Sequence, residues 1–161
     1  MAGTIQSVYR GAFGNYTTAS GAIWDNGSGS EFPNFNAFAA ITSNGSVVTW
    51  GDADTGGNSS SVAGNLSSTV TAVYSNGYAF AALKSDGSVV TWGCATSGGD
   101  SSSVSGGNLS SNVTAVYSTI RAFAALKSNN SVVTWGNAHY GGTSSSGSGN
   151  VSSNVTAVYS N

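Results

Sequence analysis

The feature that most constrains this chain of 161 residues is a tandem repeat of about 43 residues. Three nearly identical segments carry it: AFAAITSNGSVVTWG at 37–51, AFAALKSDGSVVTWG at 79–93 and AFAALKSNNSVVTWG at 122–136. A second element, VTAVYS, recurs at 70–75, 113–118 and 155–160. A repeat of this length cannot bury its apolar face alone, so the copies must stack on one another or close into a ring.

Each repeat has the pattern of β structure. VTAVYS alternates between two kinds of residue, as a strand with two different faces does, and AFAAL and SVVTW are short β-type runs. The residues between those runs predict a tight two-residue hairpin turn with positive φ. The turn pairs are Asn44-Gly45, Asp86-Gly87 and Asn129-Asn130. Since no stretch of 11 or more residues has helical periodicity, we expect an all-β fold.

Aromatic residues recur at fixed positions within the repeat, and we predict that they form a layered core. The tryptophans are Trp50, Trp92 and Trp135, and the tyrosines of VTAVYS are Tyr74, Tyr117 and Tyr159. Small alanines beside them let neighbouring sheets approach closely. Exposed tryptophans that stack on sugar rings are the alternative interpretation.

Residues 1–36 resemble an eroded copy of the repeat. IQSVYR at 5–10 matches VTAVYS, and the residues around Trp24 can match the tryptophan-bearing strand. We therefore divide the chain into a degenerate N-terminal repeat at 1–36, a candidate docking segment, and three β repeats with a terminal strand at 37–161.

The composition argues against several functions. Charged residues make up 6% of the chain, against about 25% in typical soluble domains. Four Lys and Arg residues and a net charge of -2 offer no basic surface for nucleic acid or an anionic membrane. One Cys and one His leave little material for disulfides, metal sites or acid–base chemistry. We expect no enzyme activity, no cofactor, no nucleic acid partner and no membrane insertion.

Two polar loop segments are candidate surface contacts. Asp52 and Asp54 lie in a sequence, DADTGGN, that resembles a calcium loop, but no bidentate Glu follows and the other repeats lack these acids. We therefore predict a solvated turn and no metal. His139 and Tyr140, in the equivalent loop of the last repeat, form a candidate exposed contact pair.

The segment AFAALKSDGSVVTWG, followed by a polar residue and GG, resembles the repeat of the regulator of chromosome condensation family. It is also similar to tandem repeats in surface proteins of marine bacteria and in marine phage proteins. The resemblance covers 37–160 and implies small propeller blades of four strands. A threefold trefoil or prism is the alternative architecture.

Two functions fit these observations. The first is a non-enzymatic structural or decoration protein on the surface of a larger assembly, such as a phage virion, with protein partners or further copies of itself. The second is a lectin-like or adhesin module that binds cell-surface glycans through repeated Ser, Gly and Asn loops. Since the N-terminus has no signal-peptide pattern, we expect a virion surface or an extracellular location reached by another route.

Overall fold

The computed structural model describes residues 5–9, for which only the backbone is considered, and residues 33–104, 108–144 and 151–160. Three antiparallel sheets of three strands each follow one another along the chain. The strands are β1 (Ile5–Tyr9), β2 (Ala37–Thr42), β3 (Val47–Gly51), β4 (Val70–Ser75), β5 (Ala79–Lys84), β6 (Val89–Gly93), β7 (Val113–Ser118), β8 (Ala122–Lys127) and β9 (Val132–Gly136). The sheets β1–β3, β4–β6 and β7–β9 are called units 1, 2 and 3 below.

The loops that follow the sheets contain short 3-10 turns. They span Ala53–Thr55, Ser60–Val62, Ala95–Ser97 and Ala138–Tyr140. The described ranges contain no α-helix. The prediction of an all-β fold built from tandem repeats is confirmed, and each repeat forms its own small sheet, as the blades of a propeller do.

A hairpin joins the second and third strands of each unit at the predicted position. The turn type differs from the prediction, because only the second residue of each pair has positive φ. In unit 1 the amide of Gly45 donates to the carbonyl of Thr42 at 2.9 Å, so Ser43 and Asn44 occupy the centre of an ordinary turn. Gly45, with φ of 76°, follows in the left-handed region.

The chain entering each new repeat is bonded to the preceding hairpin turn. The Val70 amide donates to the Gly45 carbonyl at 2.9 Å, and the Val113 amide donates to Gly87 at 3.0 Å. The residue just before each VTAVYS segment has positive φ, 65° at both Thr69 and Asn112. This conformation turns the chain from the polar loop into the next strand, and it fixes where the next sheet begins.

The core lies between successive sheets, and the central strand of unit 2 contributes to it on both faces. Phe80 and Ala82 pack with unit 1, together with Trp92. Ala81 and Leu83, which point the opposite way, pack with unit 3. Full burial of a side chain as large as Leu or Phe contributes about 1.5–3 kcal/mol, so each unit is stabilised by the neighbours that cover it. Alanine on both faces allows the close approach that the sequence predicted.

Two finer predictions differ from the structure or lie outside it. Each unit has three strands where four were expected, because the Ser- and Gly-rich residues 52–69 form turns instead of a further strand. β1 pairs with β2 in the place that β4 and β7 hold in units 2 and 3. Residues 10–32 lie outside the described residues, so the assignment of 1–36 as a degenerate repeat and docking segment stays a prediction.

Candidate functional site

The junctions between units are built around the recurring tryptophans. Trp92 and Trp135 are only 2% and 1% exposed, as the core interpretation requires. Each indole stacks on the phenylalanine of the neighbouring strand, with centroids 5.2 Å apart for Phe80 and Trp92. Each also donates a hydrogen bond from Nε1 to a glycine carbonyl of the preceding unit. The partners are Gly56 for Trp92, at 3.0 Å, and Gly98 for Trp135, at 3.1 Å.

Trp50 differs from its two counterparts, and the core interpretation does not hold for it. It stacks on Phe38 with centroids 5.3 Å apart, as the other two pairs do. It is nevertheless 43% exposed. The reason is its place in the array, because within the described residues no unit precedes unit 1 and no carbonyl accepts from its Nε1.

The tyrosines of VTAVYS become more exposed towards the end of the chain, whereas the exposed tryptophan is the first of its series. Tyr74 is buried against unit 3, and Tyr117 is partly buried. Tyr159, also predicted as core, is 91% exposed. Residues 155–160 follow unit 3 without pairing to a further strand within the described residues, so nothing covers this ring.

In units 1 and 2, the glycine that ends the 3-10 turn lies directly under the next unit. Gly56 and Gly98 have φ of 107° and 97°, and a β-carbon added there would lie 2.6 Å from Phe80 and 2.7 Å from Phe123. Only glycine fits such a close approach in this conformation. Gly141 ends the third turn with φ of 93°, and nothing lies within 4 Å of a β-carbon added there.

A polar side chain from the same unit holds each glycine turn in place. Asn34 Nδ2 donates to the Thr55 carbonyl at 2.7 Å, and Asn76 Nδ2 donates to Ser97 at 2.6 Å. In unit 3 the hydroxyl of Thr119 donates to the carbonyl of Tyr140 at 2.7 Å. The turns are therefore fixed before a neighbouring unit binds. This role of the glycine turns was not predicted from the sequence, although the GG pairs recur with the same spacing as the tryptophans.

Asp52 and Asp54 are both exposed, and Asp52 caps the first 3-10 turn. The carboxylate of Asp52 accepts from the Thr55 amide at 3.1 Å and so caps the first 3-10 turn. In unit 3 the side chain of Asn137 caps the same turn by accepting from the His139 amide at 3.0 Å. In the described part of the chain, no group of three or more His, Cys, Asp or Glu residues could hold a metal ion.

Cys94 stands at the capping position of unit 2 but makes no side-chain cap bond. Partial burial acts to raise the pKa of its thiol, yet hydrogen bonding, chiefly with the Thr96 hydroxyl, outweighs burial and leaves the pKa below its ordinary value. Within the described residues, the buried Ser97 hydroxyl has no hydrogen-bond partner. This turn is therefore the least well satisfied of the three.

His139 and Tyr140 lie exposed at the end of the described array, and their role as a contact pair stays a prediction. The Arg121 guanidinium lies 5.8 Å from the centre of the Tyr140 ring and 4.5 Å from that of Tyr78. Arg121 also donates to the Tyr78 hydroxyl at 3.2 Å. Tyr140 thus belongs to a small aromatic and cationic cluster at the corner of units 2 and 3.

These features define a class of protein: an all-β tandem-repeat protein whose units join through a tryptophan and a glycine turn. No protein-family model matches the chain, and no curated protein matches it. Among solved structures, the crystal structure of human WBSCR16 is similar at 17% identity with a TM-score of 0.40. The match covers 63% of this chain and 32% of that one, so the chain spans about a third of its length. Among the residues described, no helix has the length and apolarity needed to cross a membrane.

Proposed function

We propose that this chain is a non-enzymatic structural module that decorates the surface of a larger assembly, such as a phage virion. The observation that carries the proposal is that the array is open at both described ends. Trp92 and Trp135 are covered by a preceding unit, whereas Trp50 presents the same aromatic pair to solvent. Exposed apolar surface of this kind is typical of a protein-binding site.

The character of the junctions supports the same function. The contacts between units are mainly apolar packing and hydrogen bonds of indole, hydroxyl and backbone groups. Such contacts depend little on ionic strength, because salt screens charge–charge attraction and leaves them in place. A particle exposed to variable salt would gain from a coat protein built in this way.

The proposal is tested on particles from the organism that produces the chain. Virus particles and cell envelopes are purified by density gradient, and mass spectrometry then quantifies the chain in each fraction. Immunogold labelling with antibody against the purified chain gives its position. We expect a fixed copy number per particle and label on the outer surface. Recovery of the chain in the soluble fraction alone would rule the proposal out.

Glycan binding is a second candidate function, favoured by an open groove in unit 2. The groove has a volume of about 410 Å³ and is lined by both apolar and polar residues, the polar ones including Lys84, Asp86 and Ser88. Asp86 accepts hydrogen bonds from both the amide and the hydroxyl of Ser88, which lower the pKa of its carboxyl. The Lys84 ammonium can donate to sugar hydroxyls, and the Asp86 carboxylate can accept from them.

Glycan binding is tested on an immobilised glycan array with the Lys84→Ala and Asp86→Ala variants. We expect each variant to lose the signal of the unchanged chain, because each removes a polar group from the groove. Lys127→Ala alters the equivalent lysine of unit 3 and is the matched control. Equal signals from all four proteins, or none from the unchanged chain, would exclude this groove as a sugar site.

A further inference from the structure

The two ends of the described array carry complementary halves of the same junction. We define the head as the outer surface of unit 1 formed by Phe38, Trp50 and Gly51, together with the backbone carbonyl of Phe35. The tail consists of the glycine turn at Gly141 and residues 155–160, with the backbone at Ile120. We infer that the head of one copy binds the tail of a second copy of this chain. The inference deepens the proposed function, on which it rests, by naming the partner of the exposed surface.

The internal junctions show what a head requires. At both of them a tryptophan Nε1 donates to the carbonyl of the glycine turn in the preceding unit, at 3.0 and 3.1 Å. A second hydrogen bond runs the other way, from a backbone amide to the following unit. The amide of Phe35 donates to the carbonyl of Gly77 at 3.1 Å, and the amide of Gly77 donates to the carbonyl of Ile120 at 3.2 Å.

The tail offers both groups in the conformation that the junctions use. Gly141 has φ of 93° and ψ of 7°, close to the 107° and 9° of Gly56, and Thr119 holds its turn from within unit 3. Within the described residues no donor reaches the Gly141 carbonyl, and the Ile120 amide donates to no carbonyl. On the head, the matching Trp50 Nε1 and the Phe35 carbonyl have no hydrogen-bond partner within the described residues. One copy can therefore satisfy the other with both hydrogen bonds of a normal junction.

The terminal VTAVYS segment supplies the strand for the new junction. The Val155 amide donates to the Asn130 carbonyl at 2.9 Å, just as Val70 and Val113 bond to the turns before them. Residues 155–160 thus stand where the first strand of a fourth unit would lie. By the register of β4 on β5, Tyr159 would pair with Ala39 in β2 of the second copy.

Strand exchange follows from this geometry. β1 already pairs with β2 in the register that residues 155–160 would use, since Tyr9 lies opposite Ala39. Both strands cannot occupy one edge of β2, so the tail strand of one copy replaces β1 of the next. An unpaired strand edge is a ready template for such an exchange between chains.

The junction between copies differs from the internal ones at the corner that Tyr140 occupies. Tyr140 stands where Thr55 and Ser97 are buried under the next unit, and its ring lies near Arg121 of its own unit. We expect this corner to be wider between copies than within one. Because the head and the tail are different surfaces, the association is heterologous and forms a closed ring or an open filament.

The test uses two full-length variants whose association is measured by light scattering. Trp50→Lys blocks the head, where the side chain is already partly exposed. Val158→Pro combined with Tyr159→Pro blocks the tail strand, because two successive prolines remove amide donors on both sides of it. Each protein is measured from about 1 µM to about 1 mM, which spans tight to weak association. Circular dichroism and thermal unfolding confirm that each variant is folded.

We expect the unchanged chain to form multiples of its 15.9 kDa mass with rising concentration, and each variant alone to stay at 15.9 kDa. An equimolar mixture of the two variants should form a one-to-one complex of twice that mass, because one intact head meets one intact tail. Trp50→Phe, which keeps the ring stack but loses the donor, should weaken self-association about three- to tenfold. Gly64→Ala, at a loop position with open space around it, should have no effect.

Three results would overturn the inference: an unchanged chain that stays monomeric throughout, variants that associate as the unchanged chain does, or a mixture that stays monomeric. A cover for Trp50 supplied from within the same chain would give the first result. Particle attachment without self-association would remove this inference and leave the proposed function. Self-association without particle attachment would rule out the proposed function and leave the association between copies.

Discussion

The packing of the glycine turns gives a prediction that separates contact between units from backbone strain. Gly98→Ala and Gly141→Ala change equivalent residues with nearly equal φ, 97° and 93°. At Gly98 the new β-carbon lies 2.7 Å from Phe123, whereas at Gly141 it meets nothing within 4 Å. Both variants carry the same cost of alanine in a left-handed conformation, but only the first disturbs a neighbouring unit.

The expected losses of stability follow from the backbone strain at both glycines and from the added contact with Phe123 at Gly98. A non-glycine residue in a sparsely populated backbone region costs about 1–3 kcal/mol, and both variants have this cost. Overpacking against a fixed aromatic ring adds about 1–3 kcal/mol at Gly98 alone, because Phe123 is held between Trp135 and the turn. We therefore expect Gly98→Ala to lower the free energy of unfolding by about 1–3 kcal/mol more than Gly141→Ala does.

Urea unfolding followed by circular dichroism measures this difference. Both variants are made in the Trp50→Lys background, so that no second copy covers Gly141 during the measurement. The slope of the unfolding free energy against urea should stay constant, because the buried surface is otherwise the same. Equal losses in the two variants would refute the argument that unit 3 packs on the Gly98 turn.

Three further predictions use the same urea assay. Thr69→Asn should stabilise the chain by about 0.5–1 kcal/mol, because a β-branched residue is disfavoured at φ of 65° and Asn112 already occupies the equivalent place; a loss would contradict this. Cys94→Asp should gain about 0.5–1 kcal/mol by restoring the missing cap, and an unchanged midpoint would count against it. Trp135→Phe should cost about 1–3 kcal/mol because it leaves the buried Gly98 carbonyl unpaired. The matched change Trp50→Phe should cost little in a monomer, and equal costs would disprove the assignment of that bond.

The strands and their order could be predicted from the sequence because period-2 patterning recurs in three copies. The turn type could not be read from the Asn44-Gly45 pair alone. A two-residue turn and the observed turn both need a left-handed residue, and Gly45 satisfies either one. The choice depends on which amide closes the turn, and the Gly45 amide bonds to the Thr42 carbonyl.

The burial of the tryptophans was only partly predictable, because it depends on which unit precedes each one. Trp50 and Trp92 occur in the same TWG context, and both stack on a phenylalanine of the adjacent strand. The difference between them is the glycine turn at Gly56, which covers Trp92 from 36 positions earlier in the sequence. A local pattern records what a residue is suited to, and the position of its unit in the array decides what covers it.

This dependence on neighbours explains why the ends matter most in a protein of nearly identical units. Repeat arrays that stay single normally end in units with a polar outer face. Within the described residues this array keeps interior residues at both ends, Trp50 at one and Tyr159 at the other. Full burial of a large apolar side chain contributes about 1.5–3 kcal/mol. Trp50, at 43% exposed, lacks part of this stabilisation and Tyr159, at 91% exposed, lacks most of it, whereas Trp92 and Trp135 gain it by stacking between units. An array with such unrealised stabilisation at both ends is suited to binding a further unit at each of them. The surface that fits each end is the opposite face of the junction that the chain forms twice, between units 1 and 2 and between units 2 and 3.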